Sequence, residues 1–378
     1  MRPRRLTGRP ALVLTAVLTA ALAAAGCTGT PAGTPAGPRA PAASPAITRA
    51  QARQVWERYV AVSGRQAVTA GDPALALSLE TGPQRAFDSV TDTAARKSAN
   101  LDGAGARRAL GQLAPPVYAD LAFYLPEESG YPRFFVVDVT EKRASGDSAA
   151  AAGALAVDGA GIYPLGPALM LFEEAGPGAR WLLASSASLA VGETLPQLAA
   201  DSAGYVPVVA PAEAALLAPP DDVGPLQAAV VDDGPASAAM RAVADGPLTT
   251  GLYRGAVNGA GELTAPHGDV YQWDLEGTRF PEFALRTAAG GALVFYAMTL
   301  HTTVAVPGYI DKADPVLSGP PIRVPGDVRP LLPSGQLAPL VELSAGQLLS
   351  FAAVDPAPGR GRIHVIAMGG GLTSATAA

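Results

Sequence analysis

The sequence has one cysteine and three histidines in 378 residues. A structural zinc site, an iron–sulfur cluster or a disulfide framework needs several such side chains, so all three classes are excluded. Charged residues are scarce, at 16% of the chain, against about 25% in an average soluble protein. The hydrophobic fraction of 49% is ordinary, which argues against disorder throughout. The length is sufficient for two ordinary domains.

Basic side chains are too few and too dispersed for a nucleic-acid partner. The chain has 27 basic and 33 acidic residues, but four arginines lie before Cys27 in a segment that we expect to be removed. The mature chain then has 23 basic and 33 acidic residues, a net charge of −10. Because a duplex-binding protein needs clustered Lys and Arg to displace phosphate counterions, we expect no binding to nucleic acid.

Familiar catalytic motifs are missing from the sequence. It contains no G-x-S-x-G, H-E-x-x-H, G-x-x-x-x-G-K-[ST] or G-x-G-x-x-G pattern. These absences disfavour the common hydrolase, metalloprotease and nucleotide-binding sites. His267 and Asp269 share one loop, but two ligands are too few for a catalytic metal. We therefore predict no metal and no cofactor.

The N-terminus has the form of a secretion signal. Four arginines within the first nine residues precede an uncharged run over residues 11–25, which is too short for a comfortable membrane span. The following AAGC sequence, ending at Cys27, resembles the lipobox of bacterial lipoproteins. The resemblance implies a signal peptide over 1–26, a lipidated Cys27 and an extracytoplasmic protein anchored to the cell membrane. The alternative is a plain secretory signal with an incidental cysteine.

The segment after Cys27 predicts a tether. Residues 28–46 consist almost wholly of Thr, Gly, Pro, Ala and Ser, a composition that favours extended polyproline conformations of about 3 Å per residue. We therefore expect residues 27–47 to be the lipidated cysteine and a spacer that holds the folded part away from the membrane.

Helices are predicted at the start of the folded part. Thr48 and Gln51 have the spacing of a capping box, and apolar residues then recur every three or four positions, which predicts a helix over about 49–69. Asp72 and Pro73 form a good N-cap and first-turn pair for a short second helix ending near Gly82.

Four hairpins of β-rich segments follow, two in each half of the chain. Each pair is joined by a Gly- or Pro-rich turn. The segments are VYADLAFYL with RFFVVDVTEK, ALMLFEE with ARWLLASSASLAV, FALRT with ALVFYAMTLHTTVAV, and LLSFAAVD with RIHVIAMGGG.

The late hairpins of the two halves resemble each other. Phe172 before one Gly-Pro turn matches Phe351 before another, and the residues that follow the turns, RWL and RIH, also align, at a spacing of roughly 180 residues. This pattern predicts two tandem α+β domains, 48–218 and 219–378, each with helices packed on a curved antiparallel sheet. Chance similarity between Gly-rich hairpins is the alternative.

The first half, with its early helices, later strands and the G-x-R-W-L hairpin at 178–182, resembles the nuclear-transport-factor-2-like cone fold of many actinobacterial-type secreted lipoproteins. The match covers about 48–200 and, more faintly, 225–378, where Gly234 and Pro235 interrupt the first helix. The resemblance implies a curved sheet wrapped on helices with a cavity at its mouth. Family members range from enzymes to inert interaction modules, so no function transfers with the fold.

Two titratable residues are candidates for such a cavity. His301 shares strand parity with an apolar and small face of its strand, and Asp138 lies on the corresponding first-half strand. Either is a candidate general base, but a structural His and a strand-edge Asp are the simpler interpretation because neither has an evident partner. The acidic pairs at 127–128 and 173–174 are expected to be solvated beside turns, and the three Trp residues are expected to pack in cores.

The sequence therefore supports three functional hypotheses. The first is a lipid-anchored cell-envelope protein that binds another envelope component without catalysis. The second is a binder of a small apolar ligand in a cone cavity. The third is an isomerase- or hydratase-type enzyme that uses His301 or Asp138.

Overall fold

The computed structural model of the chain describes residues 45–69, 77–102, 117–128, 130–142, 167–264, 270–306, 322–326, 328–333, 336–337 and 341–378. Cys27, the predicted signal peptide and most of the predicted tether lie outside these ranges, as do Asp72, Pro73 and His267. Residues Ala43–Ala378 cluster into one compact unit.

In the described part of the chain, two helices are followed by a series of strands, and this order occurs twice. The helices are α1 (Arg49–Thr69), α2 (Gly82–Asp102), α3 (Pro220–Asp233) and α4 (Thr250–Thr264), with short 3-10 turns at Gly234–Ala236, Ala238–Arg241 and Arg329–Leu331. The strands are β1 (Val117–Glu127), β2 (Arg133–Lys142), β3 (Pro167–Glu174), β4 (Leu182–Leu189), β5 (Tyr205–Pro207), β6 (Val270–Gly277), β7 (Phe283–Arg286), β8 (Ala292–Ala305), β9 (Glu342–Asp355) and β10 (His364–Ala377).

The capping box at the start of α1 is confirmed. The backbone N–H of Thr48 donates to Oε1 of Gln51 at 3.0 Å, and the backbone N–H of Gln51 donates to Oγ1 of Thr48 at 3.3 Å. The two bonds satisfy backbone donors that the first helical turn leaves open. The helix has the predicted bounds, Arg49–Thr69.

The short second helix that we predicted from Asp72 to near Gly82 lies mostly outside the described residues, of which Leu77 is helical. A longer helix, α2, begins at Gly82. Gly82 has a φ of 52°, which suits the chain turning into the helix. Pro83 then occupies the first turn, where its missing N–H costs nothing. The Gly-Pro pair is therefore a start signal that the sequence pattern alone also allows as a stop.

The strands form one mixed sheet in the order β5-β1-β2-β3-β4-β10-β9-β8-β6, with β7 also paired to β8. Every described pairing between neighbouring strands is antiparallel except β1 with β5. The sheet curls, since Val208, just beyond β5, bridges Leu285 on β7. The α+β class is confirmed.

The two halves of the chain meet where β4 pairs with β10. Ala367 pairs with Leu189 and Met368 with Ser188. The next residue, Gly369, passes so close to β4 that a Cβ built on it would lie 2.0 Å from the backbone oxygen of Ser186. Hydrogen bonding across this junction makes the sheet continuous over the boundary that we predicted at 218/219.

The same pair of backbone hydrogen bonds occurs once in each half, before the second helix of that half. The N–H of Thr81 donates to the Leu183 carbonyl and the N–H of Leu183 to that of Leu79, both at 2.8 Å. In the second half, the N–H of Ala244 donates to the Ile363 carbonyl at 2.8 Å, and the N–H of Ile363 donates to the Ala242 carbonyl at 2.7 Å. Leu183 and Ile363 thus have the same role at the starts of β4 and β10.

Three large apolar cores fill the unit. The first lies between α1 and strands β1–β4 and contains Trp56, Phe135 and Phe172. The second lies between α3, α4 and strands β6–β10 and contains Val230 and Phe351. The third, which we call the inner core, draws on both halves. Its members include Phe134, Leu171, Leu189, Phe283, Leu293, Phe295 and Ile366.

Candidate functional site

An open cleft lies between α1 and the turn that leads into β4. Its volume is about 190 Å³. Nine residues line it: Val55, Arg58, Tyr59, Leu79, Phe172, Ala179, Arg180, Trp181 and Leu182. These described lining residues include two arginines and no acidic side chain.

Helical spacing places one wall of the cleft. Val55, Arg58 and Tyr59 are separated by three and four positions on α1, so they share one helix face. Leu79, which is buried, completes this side just before α2.

A tight turn places the opposite wall. Gly178 has a φ of 74°, a conformation that glycine adopts without steric cost, and the N–H of Ala179 donates to the Gly176 carbonyl at 3.0 Å. The chain therefore presents Arg180 and Trp181 just before β4 begins.

Aromatic rings form and support the floor of the cleft: Tyr59, Phe172 and Trp181 line it, and Phe135 packs behind them in the first core. Phe135 and Phe172 are stacked, with ring centroids 5.0 Å apart and planes 8° apart. Trp181 lies 5.2 Å from Phe135, and Tyr59 meets Phe172 edge to face at 5.5 Å. Trp181 and Tyr59 are half-buried, so each ring packs on the core on one side and remains accessible on the other. Such rings can contact a ligand without losing their own packing.

The two arginines at the cleft are exposed. Neither forms an ion pair with any residue that the structure describes, whereas Arg286 and Arg254 pair with Glu213 and Asp245. Arg58 and Arg180 therefore give the cleft a positive rim in a protein whose overall charge is negative.

Asp138, one of the two predicted site residues, lies on β2 next to a β-bulge in β1. It is half-buried. Burial raises its pKa, and the carboxylate of Asp120 raises it further. Asp138 in turn adds to the effect of burial in raising the pKa of Tyr124. Asp138 is not among the residues that line the cleft.

His301, the other predicted site residue, is exposed on β8. It pairs with Asp274 on β6 and with Gly346 on β9. Its strand parity is that of Leu293 and Phe295 in the inner core, but it lies six residues beyond Phe295, outside that core. Along the sheet, four strands separate β8 from β2, and the structure does not bring His301 and Asp138 together in the cleft.

The acidic pairs are less solvated than we expected. Glu174 is buried, and burial raises the pKa of Glu173. Burial also raises the pKa of Glu128 to about 7, although Arg133 opposes this rise. Glu174 ends β3 directly before the turn, and there it lies opposite Arg133 on the neighbouring strand.

The three tryptophans pack on cores as predicted. Trp56 is buried in the first core, and Nε1 of Trp273 donates to the Val231 carbonyl at 3.1 Å. Trp181 packs on the first core and also lines the cleft. The G-x-R-W-L hairpin that contains Trp181 was the sequence signal nearest to the cleft. It was insufficient to predict the cleft, because a single aromatic residue does not reveal which helix will face it.

Within the described residues, no group of three or more His, Cys, Asp or Glu side chains is placed to hold a metal ion. No described helix is long and apolar enough to cross a membrane.

Comparison with known proteins gives one family match. A family model described as a domain of unknown function (DUF8094) matches residues 43–377. No curated protein and no solved structure matches the chain.

Proposed function

The chain belongs to the DUF8094 family, and we propose that it is a lipid-anchored cell-envelope protein that binds a ring-sized apolar ligand in the cleft between α1 and β4, without catalysis. The family description names no activity, so the proposal rests on the residues of this chain.

The anchor is supported by the order of segments at the N-terminus. A charged segment, an apolar run and AAGC end at Cys27, and a Pro- and Ala-rich stretch follows. The family match begins at residue 43, and the compact unit begins at Ala43. Both boundaries agree with a folded part that starts after a tether.

The single observation that carries the binding proposal is the packing of Trp181. Its ring rests on Phe135, yet it is half-exposed in an open cleft. Binding sites for small molecules are concave and mostly apolar, with a few polar groups at defined positions. The volume of about 190 Å³ is below the roughly 300–1,000 Å³ of drug-sized pockets, so the cleft suits a single ring or a short acyl segment.

A non-catalytic role is favoured by the separation of the titratable candidates. A general base needs to reach the proton it removes, directly or through one water. Asp138 and His301 lie away from the cleft and from each other along the sheet. We therefore assign them structural roles.

We also propose that the two halves are diverged copies of one nuclear-transport-factor-2-like unit. The recurring hydrogen bonds at Leu183 and Ile363 support this origin, as does the shared order of two helices followed by strands. In this view the copies have fused through β4 and β10 into one body.

The binding proposal is tested on the mature chain with Cys27 changed to Ser to keep it soluble. Native mass spectrometry of the purified protein would detect a retained ligand, and saturation-transfer NMR would measure contact with 2-naphthol and 2-naphthoate. We expect transfer to at least one probe and its loss in Trp181→Ala. Tyr131→Ala is the control, since Tyr131 is an exposed aromatic residue outside the cleft. If neither probe binds, or if Trp181→Ala binds both as well as the parent does, the cleft is not the site.

The anchor is tested separately by metabolic labelling with a fatty acid. The full-length protein should take up the label, and Cys27→Ala should not. An unlabelled parent protein, or a variant labelled to the same extent, would overturn the lipid anchor.

A further inference from the structure

The rim of the cleft limits the chemistry of its ligand. Resting on the proposed binding function, we propose that the ligand is an aromatic anion, with its ring on Trp181 and its carboxylate or phosphate oxygens bound by Arg58 and Arg180.

The electrostatic argument begins with the lining itself. Arg58 comes from α1 and Arg180 from the turn before β4, so the two cations approach the cleft from opposite walls. Among the described residues that line the cleft, no carboxylate neutralises them. A guanidinium group presents several N–H donors in a planar arrangement that matches carboxylate and phosphate oxygens. An anion at the mouth of the cleft can therefore be held from two sides.

The rest of the protein makes this positive rim selective. The mature chain has ten more acidic than basic residues, so most of the surface repels an anion. Two cations at a concave, partly apolar site concentrate anionic ligands there, because charge complementarity sets specificity more than it sets affinity.

The apolar part of the ligand follows from the floor. Tyr59, Phe172 and Trp181 line the cleft. Tyr59 meets Phe172 edge to face, and Phe135 supports Phe172 and Trp181 from within the core. Aromatic pairs in these geometries are more favourable than their buried area alone predicts. A planar ring therefore fits this floor better than a branched aliphatic group of the same volume.

The test compares three probes with one ring system: 2-naphthoate, 2-naphthyl phosphate and the neutral 2-naphthol. Dissociation constants are measured by isothermal titration calorimetry on the Cys27→Ser mature chain, at low and high salt. We expect at least one anion to bind about tenfold or more tightly than 2-naphthol, and this advantage to shrink at high salt. A preference for the carboxylate or for the phosphate would identify the anionic group.

Arg58→Gln and Arg180→Gln assign the effect to the cleft. Each change should weaken binding of the anion by about three- to tenfold and leave 2-naphthol unchanged. Arg254→Gln is the matched control, because Arg254 is an exposed arginine outside the cleft. These exposed side chains can be changed without disturbing the core.

The outcomes separate this inference from the function on which it rests. If 2-naphthol binds as tightly as both anions and depends on Trp181, the cleft is a binding site but the ligand is not an anion. If the anions bind to both Arg variants as tightly as to the parent protein, the inference is wrong. If none of the three probes binds, the proposed binding function fails as well.

Discussion

The ring of Phe134 on β2 lies 4.7 Å from the ring of Phe283 on β7, measured between centroids. The two residues come from opposite halves of the chain, and both are buried in the inner core. Their contact means that each half covers apolar surface of the other. The two halves of the chain therefore do not pack as independent units.

We accordingly expect neither half to fold alone. Residues 27–218 and 219–378, expressed separately, would each expose their share of the inner core and lose the pairing of β4 with β10. Amide NMR of each half should show poorly dispersed signals or aggregation, and circular dichroism should show a loss of structure. Mixing the halves should restore it. A cooperative thermal transition in an isolated half would contradict this prediction.

The junction between β4 and β10 should depend on Gly369. A Cβ at this position would lie 2.0 Å from the Ser186 backbone oxygen, so Gly369→Ala must displace one of the strands. We expect a loss of about 1–3 kcal/mol or more in the free energy of unfolding, measured by urea denaturation. Gly176→Ala is the control, because nothing lies within 4 Å of its Cβ. Equal stability of the two variants would show that the strands separate easily.

Asp355 should make stability depend on pH. Its side chain is inaccessible to solvent, and burial raises its pKa from 3.8 to about 6, although the backbone N–H of Ala218 opposes the rise. The folded state therefore favours the protonated form. The contribution of the protonated Asp355 carboxyl group to the stability of the fold is present at low pH. It is lost as pH rises through about 4 to 6.

Asp355→Asn should remove that part of the pH dependence and stabilise the protein at pH 8 by about 1–3 kcal/mol. Urea denaturation across pH 4–8 is the measurement, with Glu276→Gln on the exposed part of β6 as the control. An unchanged pH profile in Asp355→Asn would show that another group controls this range.

The hydroxyl of Tyr296 donates to Oε1 of Gln227 at 2.8 Å, and Nε2 of Gln227 donates to the Leu248 carbonyl at 2.8 Å. All of these side-chain groups are buried. Tyr296→Phe leaves the Gln227 oxygen without its donor, so we expect a loss of about 1–3 kcal/mol in thermal or urea unfolding. A neutral result would mean that water replaces the hydroxyl.

The sequence predicted those elements whose local pattern is strong. The bounds of α1 and β2 match the expected ranges, because a capping box defines the first and a run of aromatic and β-branched residues defines the second. It did not predict α4, whose sequence TGLYRGAVNGAGELT contains four glycines. Glycine disfavours a helix interior, so packing against α3 and β6 outweighs local preference there.

The candidate site was less predictable than the fold. His301 and Asp138 were chosen for their chemistry, but the cleft is formed by Trp181 and two arginines whose proximity depends on how α1 crosses the sheet. Likewise, the pairing of β4 with β10 joins segments about 180 residues apart, and such pairing leaves no periodic signal in either strand.

The strand β6 ends the described sheet on one side. On that side, the N–H of Leu275 already donates to Oδ1 of Asp232 at 3.1 Å, and the neighbouring Asp274 and Glu276 are exposed and acidic. An uncovered strand edge is where two molecules can join their sheets. If the proposed lipid anchor holds, copies of this protein share a thin layer above the membrane and collide frequently. An occupied donor and repelling carboxylates at this edge would keep those collisions from becoming aggregates.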